Sequence, residues 1–310
     1  MEFRSDPQRI RGSIAPIVTP LHEDGALDLE TVGRLVEWQL ESGSHGISVG
    51  GSTGEPSVLS ITEREAVIAA AAAAIAGRVP FLPASGSSHL EETLRLTATA
   101  ERLGADAVLV VTPYYSRPTQ EGLFQWYSTV AREFPGLPII IYNVPVRTAV
   151  DIGPATVGRL RRAHDNIVGV KETTKDFEHA SYVLNECGRD FLVYSGIELL
   201  CLPLLAIGGA GHVSAVANLA PRRVAQLYEQ FAAGDWERAC ELHYELHPLV
   251  DLAFFETNPG PIKWAMERLG LLPCGRVRPP LVSPSPETQE RILAVLERHL
   301  APELREAATR

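Results

Sequence analysis

The sequence lacks several features that define large classes of protein. Its first residues contain no apolar core typical of a signal peptide, and no hydrophobic run approaches the length of a membrane span. The cysteines are widely separated and form no C-x-x-C pair, so neither a zinc site nor a disulfide framework is indicated. They are Cys187, Cys201, Cys240 and Cys274. We therefore expect a cytoplasmic protein with reduced thiols, no metal site and no membrane association.

Clusters of basic residues are also missing. The formal net charge is -10, and nucleic-acid phosphates are bound by grouped lysines and arginines that this sequence does not contain. The chain has 310 residues, 45% of them hydrophobic, which is enough to bury a sizeable core. Small molecules are therefore the expected partners, and nucleic acid is not.

Short β-branched runs alternate along the chain with longer segments that carry apolar residues at helical spacing. The predicted strands cover residues 14–18, 46–49, 79–84, 107–111, 139–142, 167–171, 191–195 and 211–214. The predicted helices between them include residues 29–41, 63–76, 91–103, 120–134 and 176–187. Eight such units with strands that are apolar throughout predict a (β/α)8 TIM barrel, and a doubly wound sheet is the alternative.

The strand pattern stops before residue 234, and three helical segments follow. They cover residues 236–255, 261–269 and 287–300. We therefore predict a catalytic barrel at residues 1–233 and a three-helix C-terminal extension at residues 234–310.

Two residues at predicted strand ends point to a particular chemistry. Lys171 and Tyr142 each close an apolar run, and the two runs are successive strands of the predicted barrel. Barrel enzymes place their catalytic groups on the loops at the carboxyl ends of the strands. An amine that can attack a carbonyl, beside a phenol that can carry protons, indicates Schiff-base chemistry.

Two other motifs suggest different chemistries. Residues 50–54 read Gly-Gly-Ser-Thr-Gly, which matches the G-x-S-x-G pattern of serine hydrolases with Ser52 as the nucleophile. A His-Gly-Gly oxyanion motif and a late Asp and His pair are missing, so a hydrolase stays a remote alternative. His243 and His247 resemble a zinc-binding helix, but their order is H-x-E-x-H rather than H-E-x-x-H. We expect these histidines to lie on a solvated helix face.

In combination, five motifs resemble the dihydrodipicolinate synthase and N-acetylneuraminate lyase family of pyruvate-dependent class I aldolases. The motifs are Gly-Ser-Thr-Gly-Glu, Thr-Pro-Tyr-Tyr, Tyr-Asn-Val-Pro, Gly-Val-Lys-Glu-Thr and Asn-Pro-Gly-Pro-Ile-Lys-Trp-Ala, and the resemblance spans about residues 12–281. It implies pyruvate and a small aldehyde as substrates. It further implies that no cofactor is used and that the chain forms a homotetramer arranged as a dimer of dimers.

The resemblance also implies a role for individual residues. Lys171 is the Schiff-base lysine, and Tyr142 is the general acid and base. Ser52 and Tyr115 complete a proton relay, with Tyr115 supplied by a neighbouring subunit. Thr53 holds the pyruvate carboxylate through its side chain and its backbone N–H. The remaining substrate-binding residues implied are Gly54, Arg147, Gly196 and Val213.

Differences within the family narrow the expected substrate. Arg147 matches the arginine with which the synthases of the family hold the carboxylate of aspartate semialdehyde, and sialic acid lyases lack it. Glu198 is followed by Leu199 rather than by the second acid with which the lyases hold a sugar chain. We therefore expect condensation of pyruvate with aspartate semialdehyde, a step of lysine and diaminopimelate biosynthesis. Ser52 in place of threonine and Ile197 in place of aspartate leave open another pyruvate aldolase or hydratase-aldolase, acting on a different aldehyde or 2-oxo acid.

We predict that lysine does not inhibit this protein. Feedback-sensitive relatives bind lysine between subunits through polar, histidine, acidic and asparagine side chains. The matching positions here are Pro56, Ser57, Ile61, Arg64 and Ser88, with Glu92 and Tyr114 retained. An ammonium taken out of water without replacement hydrogen bonds is costly, and the guanidinium of Arg64 would add like-charge repulsion if it pointed inward. A steady-state assay with both substrates and rising lysine should show an unchanged rate; saturable inhibition at millimolar lysine or below would contradict this.

Overall fold

A computed structural model describes residues 5–301 of the chain. The predicted barrel begins at residue 1 and the predicted extension ends at residue 310, so their outer ends, residues 1–4 and 302–310, lie outside the described range. None of the helices in the described range is both long enough and apolar enough to cross a membrane. The chain divides into two compact units. The barrel unit contains the described residues up to Ile14, His45–Ser48 and Ala76–Ser214, and the helical unit contains Ala15–Ser44, Val49–Ile75 and the described residues from Ala215.

Seven parallel strands form one sheet. They are β1 (Gly12–Pro16), β2 (Gly46–Ser48), β3 (Val108–Val111), β4 (Ile139–Asn143), β5 (Ile167–Glu172), β6 (Leu192–Ser195) and β7 (Gly211–Val213). Their order across the sheet is β2-β1-β7-β6-β5-β4-β3, so β2 and β3 are its two ends. The strands are buried along almost their whole length, as parallel strands covered on both faces are.

The segment predicted as a strand at residues 79–84 joins the two ends of this order. Phe81 forms a parallel bridge with Ile47 of β2, and Ala84 forms one with Leu109 of β3. The segment therefore fills the eighth strand position, and the fold is the predicted (β/α)8 barrel rather than a doubly wound sheet. Only isolated bridges form because prolines at positions 80 and 83 have no N–H group to donate to a ladder.

The twelve α-helices of the described residues follow the strands in the expected alternation. They are α1 (Leu29–Glu41), α2 (Ile61–Ile75), α3 (Leu90–Arg102), α4 (Gln120–Glu133), α5 (Pro145–Thr148), α6 (Pro154–Ala163), α7 (Phe177–Cys187), α8 (Cys201–Ala206), α9 (Pro221–Ala232), α10 (Trp236–Ala253), α11 (Gly260–Arg268) and α12 (Pro286–His299). The predicted helix at 29–41 has the observed bounds because Asp28 caps it, accepting a hydrogen bond from Thr31 N at 2.9 Å. Five helices, α5, α6, α9, α11 and α12, have proline in the first turn, where its missing N–H costs no bond.

The helical unit includes the three C-terminal helices. α10, α11 and α12 correspond to the segments predicted at 236–255, 261–269 and 287–300, with ends that differ by two residues or fewer. The extension is thus confirmed as a set of three helices. The boundary between residues 233 and 234 stays a prediction, because α1, α2 and α9 belong to the same compact unit.

Candidate active site

Strands β4 and β5 bring Lys171 and Tyr142 together in the barrel unit. The two residues are direct partners in the parallel register, and the Lys171 Nζ lies 4.2 Å from the centroid of the Tyr142 ring. Both side chains are buried, with 7% and 5% of their surface exposed. An ammonium over the face of an aromatic ring is attracted by the ring quadrupole. The amine of Lys171 and the phenol of Tyr142 therefore lie side by side, as the sequence predicts.

Lysine is scarce in this protein, which makes Lys171 distinctive. The sequence contains three lysines, at positions 171, 175 and 263. Lys175 is exposed, and the ammonium of Lys263 is held by the carboxylate of Glu55 at 2.7 Å. Lys171 forms no salt bridge with any residue between 5 and 301. It is therefore the one buried lysine of the chain that no described carboxylate neutralises.

Gly196 lies directly against the Lys171 side chain. A Cβ atom at position 196 would stand 2.8 Å from Lys171 Cε and would overlap the methyl group of Thr173. The Gly196 N–H donates to the Glu172 carbonyl at 2.7 Å, which fixes the chain after β6 at this close approach. Val213, at the end of β7, is 2% exposed and belongs to the buried core cluster of the same unit. Gly196 thus shapes the space beside the amine, as only glycine can.

Two implied site residues of the barrel unit are exposed in the single chain. Tyr115 follows β3 with a φ angle of 71°, a left-handed conformation that bulky residues rarely adopt, and 96% of its surface is exposed. Arg147 is exposed on the short helix α5, directly before the buried Thr148. The Thr148 hydroxyl accepts a hydrogen bond from the Thr112 hydroxyl at 3.2 Å, which ties α5 to the end of β3. Both residues therefore lie in the segments that follow the carboxyl ends of β3 and β4, as predicted.

The remaining implied residues lie in the helical unit. Ser52, Thr53 and Gly54 form a single 3-10 turn. The Asn258 amide donates to the Thr53 hydroxyl at 3.1 Å, and the Thr19 hydroxyl donates to the Gly54 carbonyl at 2.7 Å. Thr53 is buried as a result. The turn is thus fixed from two sides by side chains of its own unit.

A buried ion pair fixes the residue that follows this turn. Glu55 has a left-handed backbone, with a φ angle of 57°, and its carboxylate receives a hydrogen bond from Lys263 of α11. Lys263 also donates to the Thr19 carbonyl at 2.9 Å. Burial lowers the pKa of Lys263, and the charge of Glu55 opposes that shift. Asn258 and Lys263, two positions of the Asn-Pro-Gly-Pro-Ile-Lys motif, therefore both hold the 53–55 segment, a role that the motif alone did not indicate.

The two competing motifs do not form the sites that their patterns suggest. Ser52 lies in a 3-10 turn, and α2 begins only at Ile61, whereas a nucleophile elbow requires a strand that turns directly into a helix. His243 and His247 are half-buried on α10, with their Nε2 atoms 3.3 Å apart. Within residues 5–301, no group of three or more His, Cys, Asp or Glu side chains is arranged to hold a metal ion.

Comparison with known proteins gives one consistent family. The sequence model of the dihydrodipicolinate synthetase family matches residues 9–299. A 4-hydroxy-tetrahydrodipicolinate synthase of Thermus thermophilus is 46% identical over 96% of this chain and 99% of its own length. The crystal structure of a dihydrodipicolinate synthase from Aquifex aeolicus superposes with a TM-score of 0.91 at 40% identity, over 94% of this chain and 99% of that one. A chloride-inhibited dihydrodipicolinate synthase from Acinetobacter baumannii, complexed with pyruvate, superposes with a TM-score of 0.89 at 38% identity, over 93% and 98% of the two chains.

The buried Lys263–Glu55 pair generates a stability prediction. Lys263→Met should lower the free energy of unfolding by about 3–5 kcal/mol, because it leaves the Glu55 carboxylate buried without its cation. Lys263→Met combined with Glu55→Gln should recover part of that loss, since the buried charge is then removed. Lys175→Met, at an exposed lysine, is the matched control and should change stability by less than about 0.5 kcal/mol. Urea unfolding of the four proteins measures these differences, and equal losses at positions 175 and 263 would refute the assignment.

Proposed function

The chain belongs to the dihydrodipicolinate synthetase family, and from that premise we propose that it is a 4-hydroxy-tetrahydrodipicolinate synthase, which condenses pyruvate with L-aspartate 4-semialdehyde. The observation that carries this proposal is the buried amine of Lys171 beside the phenol ring of Tyr142, on adjacent strands. The enzyme is then a lyase of the class I aldolase type.

The reaction assigns a separate task to each of these two groups. The Lys171 amine attacks the pyruvate ketone, and loss of water from the resulting carbinolamine gives an imine. Removal of a proton from the pyruvate methyl group converts the imine into an enamine, whose carbon attacks the aldehyde. Each of these steps moves a proton, so a positioned hydroxyl is required beside the amine. Tyr142 supplies it as the general acid and base.

The other proposed roles follow from the family. Ser52 and Tyr115 take part in the proton relay, and Thr53 and Gly54 bind the pyruvate carboxylate. The exposure of Tyr115 supports its delivery to a neighbouring subunit. This agrees with a homotetramer arranged as a dimer of dimers. Further substrate contacts are assigned to Gly196 and Val213, at the ends of β6 and β7.

The proposed setting is biosynthetic. The enzyme acts in the cytoplasm on the route to diaminopimelate and lysine, with a catalytic barrel at residues 1–233 and an extension at residues 234–310. A second candidate is another pyruvate aldolase or hydratase-aldolase of the same family. It is supported by two departures from the synthase pattern, Ser52 in place of threonine and Ile197 in place of aspartate.

Pyruvate and borohydride should together form a stable adduct on Lys171. The reductant converts an imine into a secondary amine, whereas a non-covalent complex leaves no mark. Because the chain has three lysines, peptide mapping assigns the adduct without ambiguity. Lys175→Arg should retain the adduct, and Lys171→Arg should lose it. An adduct that is absent from the wild-type protein, or found only at another position, would overturn the aldolase assignment.

Arg147 tests the identity of the aldehyde. If its guanidinium binds the carboxylate of aspartate semialdehyde, Arg147→Ala should lower kcat/KM for that substrate. The expected loss of transition-state stabilisation is about 1.5–3 kcal/mol. The pyruvate adduct on Lys171 should form as before. Arg159→Ala is the matched control, because Arg159 pairs with Glu121 on an exposed surface. Equal kinetics for Arg147→Ala and the wild type would favour the second candidate, with a different aldehyde.

A further inference from the structure

The residues that follow Tyr142 and Lys171 form a buried polar pair on the other face of the sheet. Asn143 and Glu172 are the next partners in the β4–β5 register. Side chains alternate along a strand, so this pair projects away from the face that carries the phenol and the amine. The Asn143 Nδ2 lies 3.2 Å and 3.0 Å from the two carboxylate oxygens of Glu172. The two strand ends are thereby joined by side chains as well as by backbone.

The chain beyond Lys171 is attached to Asn143 at several further points. The Asn143 carbonyl accepts hydrogen bonds from the Thr173 N–H at 3.1 Å and from the Thr173 hydroxyl at 2.5 Å. Glu172 Oε1 accepts from the Thr174 N–H at 2.8 Å. The Asn143 Oδ1 accepts from the Ile152 N–H at 3.3 Å, which fixes the orientation of the amide. Asn143 therefore cannot turn its oxygen toward Glu172 without losing a bond.

The burial of Asn143 and the two acids beside it favour an amide over a carboxylate at position 143. Asn143 is fully buried, Glu172 is 4% exposed, and burial raises the pKa of the Glu172 carboxyl. On the α7 side, His179 Nε2 lies 3.3 Å from Glu172 Oε2. Asp151, half exposed, accepts from Asn143 Nδ2 at 2.7 Å and lies 3.8 Å from His179 Nδ1. The Asn143 amide thus stands between two acids, and a carboxylate in its place would face both of them.

We propose that Asn143 and Glu172 are positioning residues for the imine-forming step. Their amide–carboxylate bond across β4 and β5 sets the offset between the Tyr142 phenol and the Lys171 amine on the opposite face. The inference rests on the proposed function, because it concerns the rate at which Lys171 reacts with pyruvate. A displacement of about 1 Å between reacting groups costs on the order of a hundredfold in rate. The pair is not itself in contact with substrate.

Two isosteric variants and their combination test the proposal. Asn143→Asp places an acceptor against the Glu172 acceptors. Glu172→Gln keeps one acceptor oxygen for the Thr174 N–H and the Asn143 amide, and it puts an amide donor in place of the other oxygen, which lies 3.0 Å from Asn143 Nδ2. At saturating pyruvate, with the adduct trapped by borohydride at timed intervals and measured by mass spectrometry, each should slow adduct formation about tenfold or more. The Asn143→Asp, Glu172→Gln double variant exchanges the donor and the acceptor. It should react faster than Asn143→Asp, because Asp151 is then the one acid of the pair that still faces the new carboxylate, and general loosening of the fold would not produce this rescue.

Asn166 provides the matched control at the opposite end of the same strand pair. Its side-chain amide donates to the carbonyl groups of Ala131 and Phe134, at 3.1 Å and 2.9 Å, just before β5 begins. Asn166→Asp makes the same chemical change there, and it should lower Tm while leaving the rate of adduct formation unchanged. Each variant's Tm is measured in parallel, and Glu172→Gln alone decides the matter if Asn143→Asp does not fold.

The outcomes separate this inference from the function on which it rests. Wild-type rates in both single variants, a double variant no faster than Asn143→Asp, or an equal slowing by Asn166→Asp would overturn the positioning role alone. Absence of any adduct in the wild-type protein would overturn the proposed function, and the positioning role together with it.

Discussion

The parallel pairing of β4 with β5 is the constraint that brings the proposed reacting groups, Tyr142 and Lys171, together. In that register Tyr142 stands opposite Lys171, and Asn143 stands opposite Glu172. A slip of one residue would send each side chain to the other face of the sheet. The Lys171 amine would then point toward the surrounding helices. The Glu172 carboxylate would take its place beside Tyr142. The register, together with the polar pair behind it, therefore determines that Tyr142 and Lys171 share one face of the sheet.

Two buried carboxylates, those of Glu172 and Glu55, each help to fix a segment of the chain. Parallel strands are covered on both faces, so a charged residue at their ends has little water to solvate it. Glu172 is satisfied by an amide and a backbone N–H, whereas Glu55 is satisfied by an ammonium. The two solutions differ in their consequences. Burial raises the pKa of the Glu172 carboxyl, and the hydrogen bond from Asn143 offsets this only in part. Glu55 and Lys263 instead form a buried ion pair that stabilises only while both partners remain.

Much of the fold and part of the site could be predicted because they depend on local patterns. Apolar runs with a polar residue at the end identified β4 and β5, and with them Tyr142 and Lys171. The strand at residues 79–84 formed only two bridges, since proline cannot continue a ladder whatever the apolar pattern suggests. Glu172 could not be distinguished from an ordinary charged flank, because its partner Asn143 is distant in sequence. The contact of Lys263 with Glu55 could not be predicted for the same reason. Packing brings these residues together, although they are far apart in the sequence and no motif spacing relates them.

The scarcity of lysine limits the number of amines at the surface of the molecule. Of the 28 Lys and Arg residues in the sequence, three are lysines, so the positive charge of the surface is carried almost entirely by arginine. Aldehydes and 2-oxo acids react with neutral amines, and the guanidinium group stays protonated at any physiological pH. Lys263 is enclosed in its ion pair, which leaves Lys175 as the one exposed lysine amine. Few surface amines of this protein can therefore react with aldehydes or 2-oxo acids.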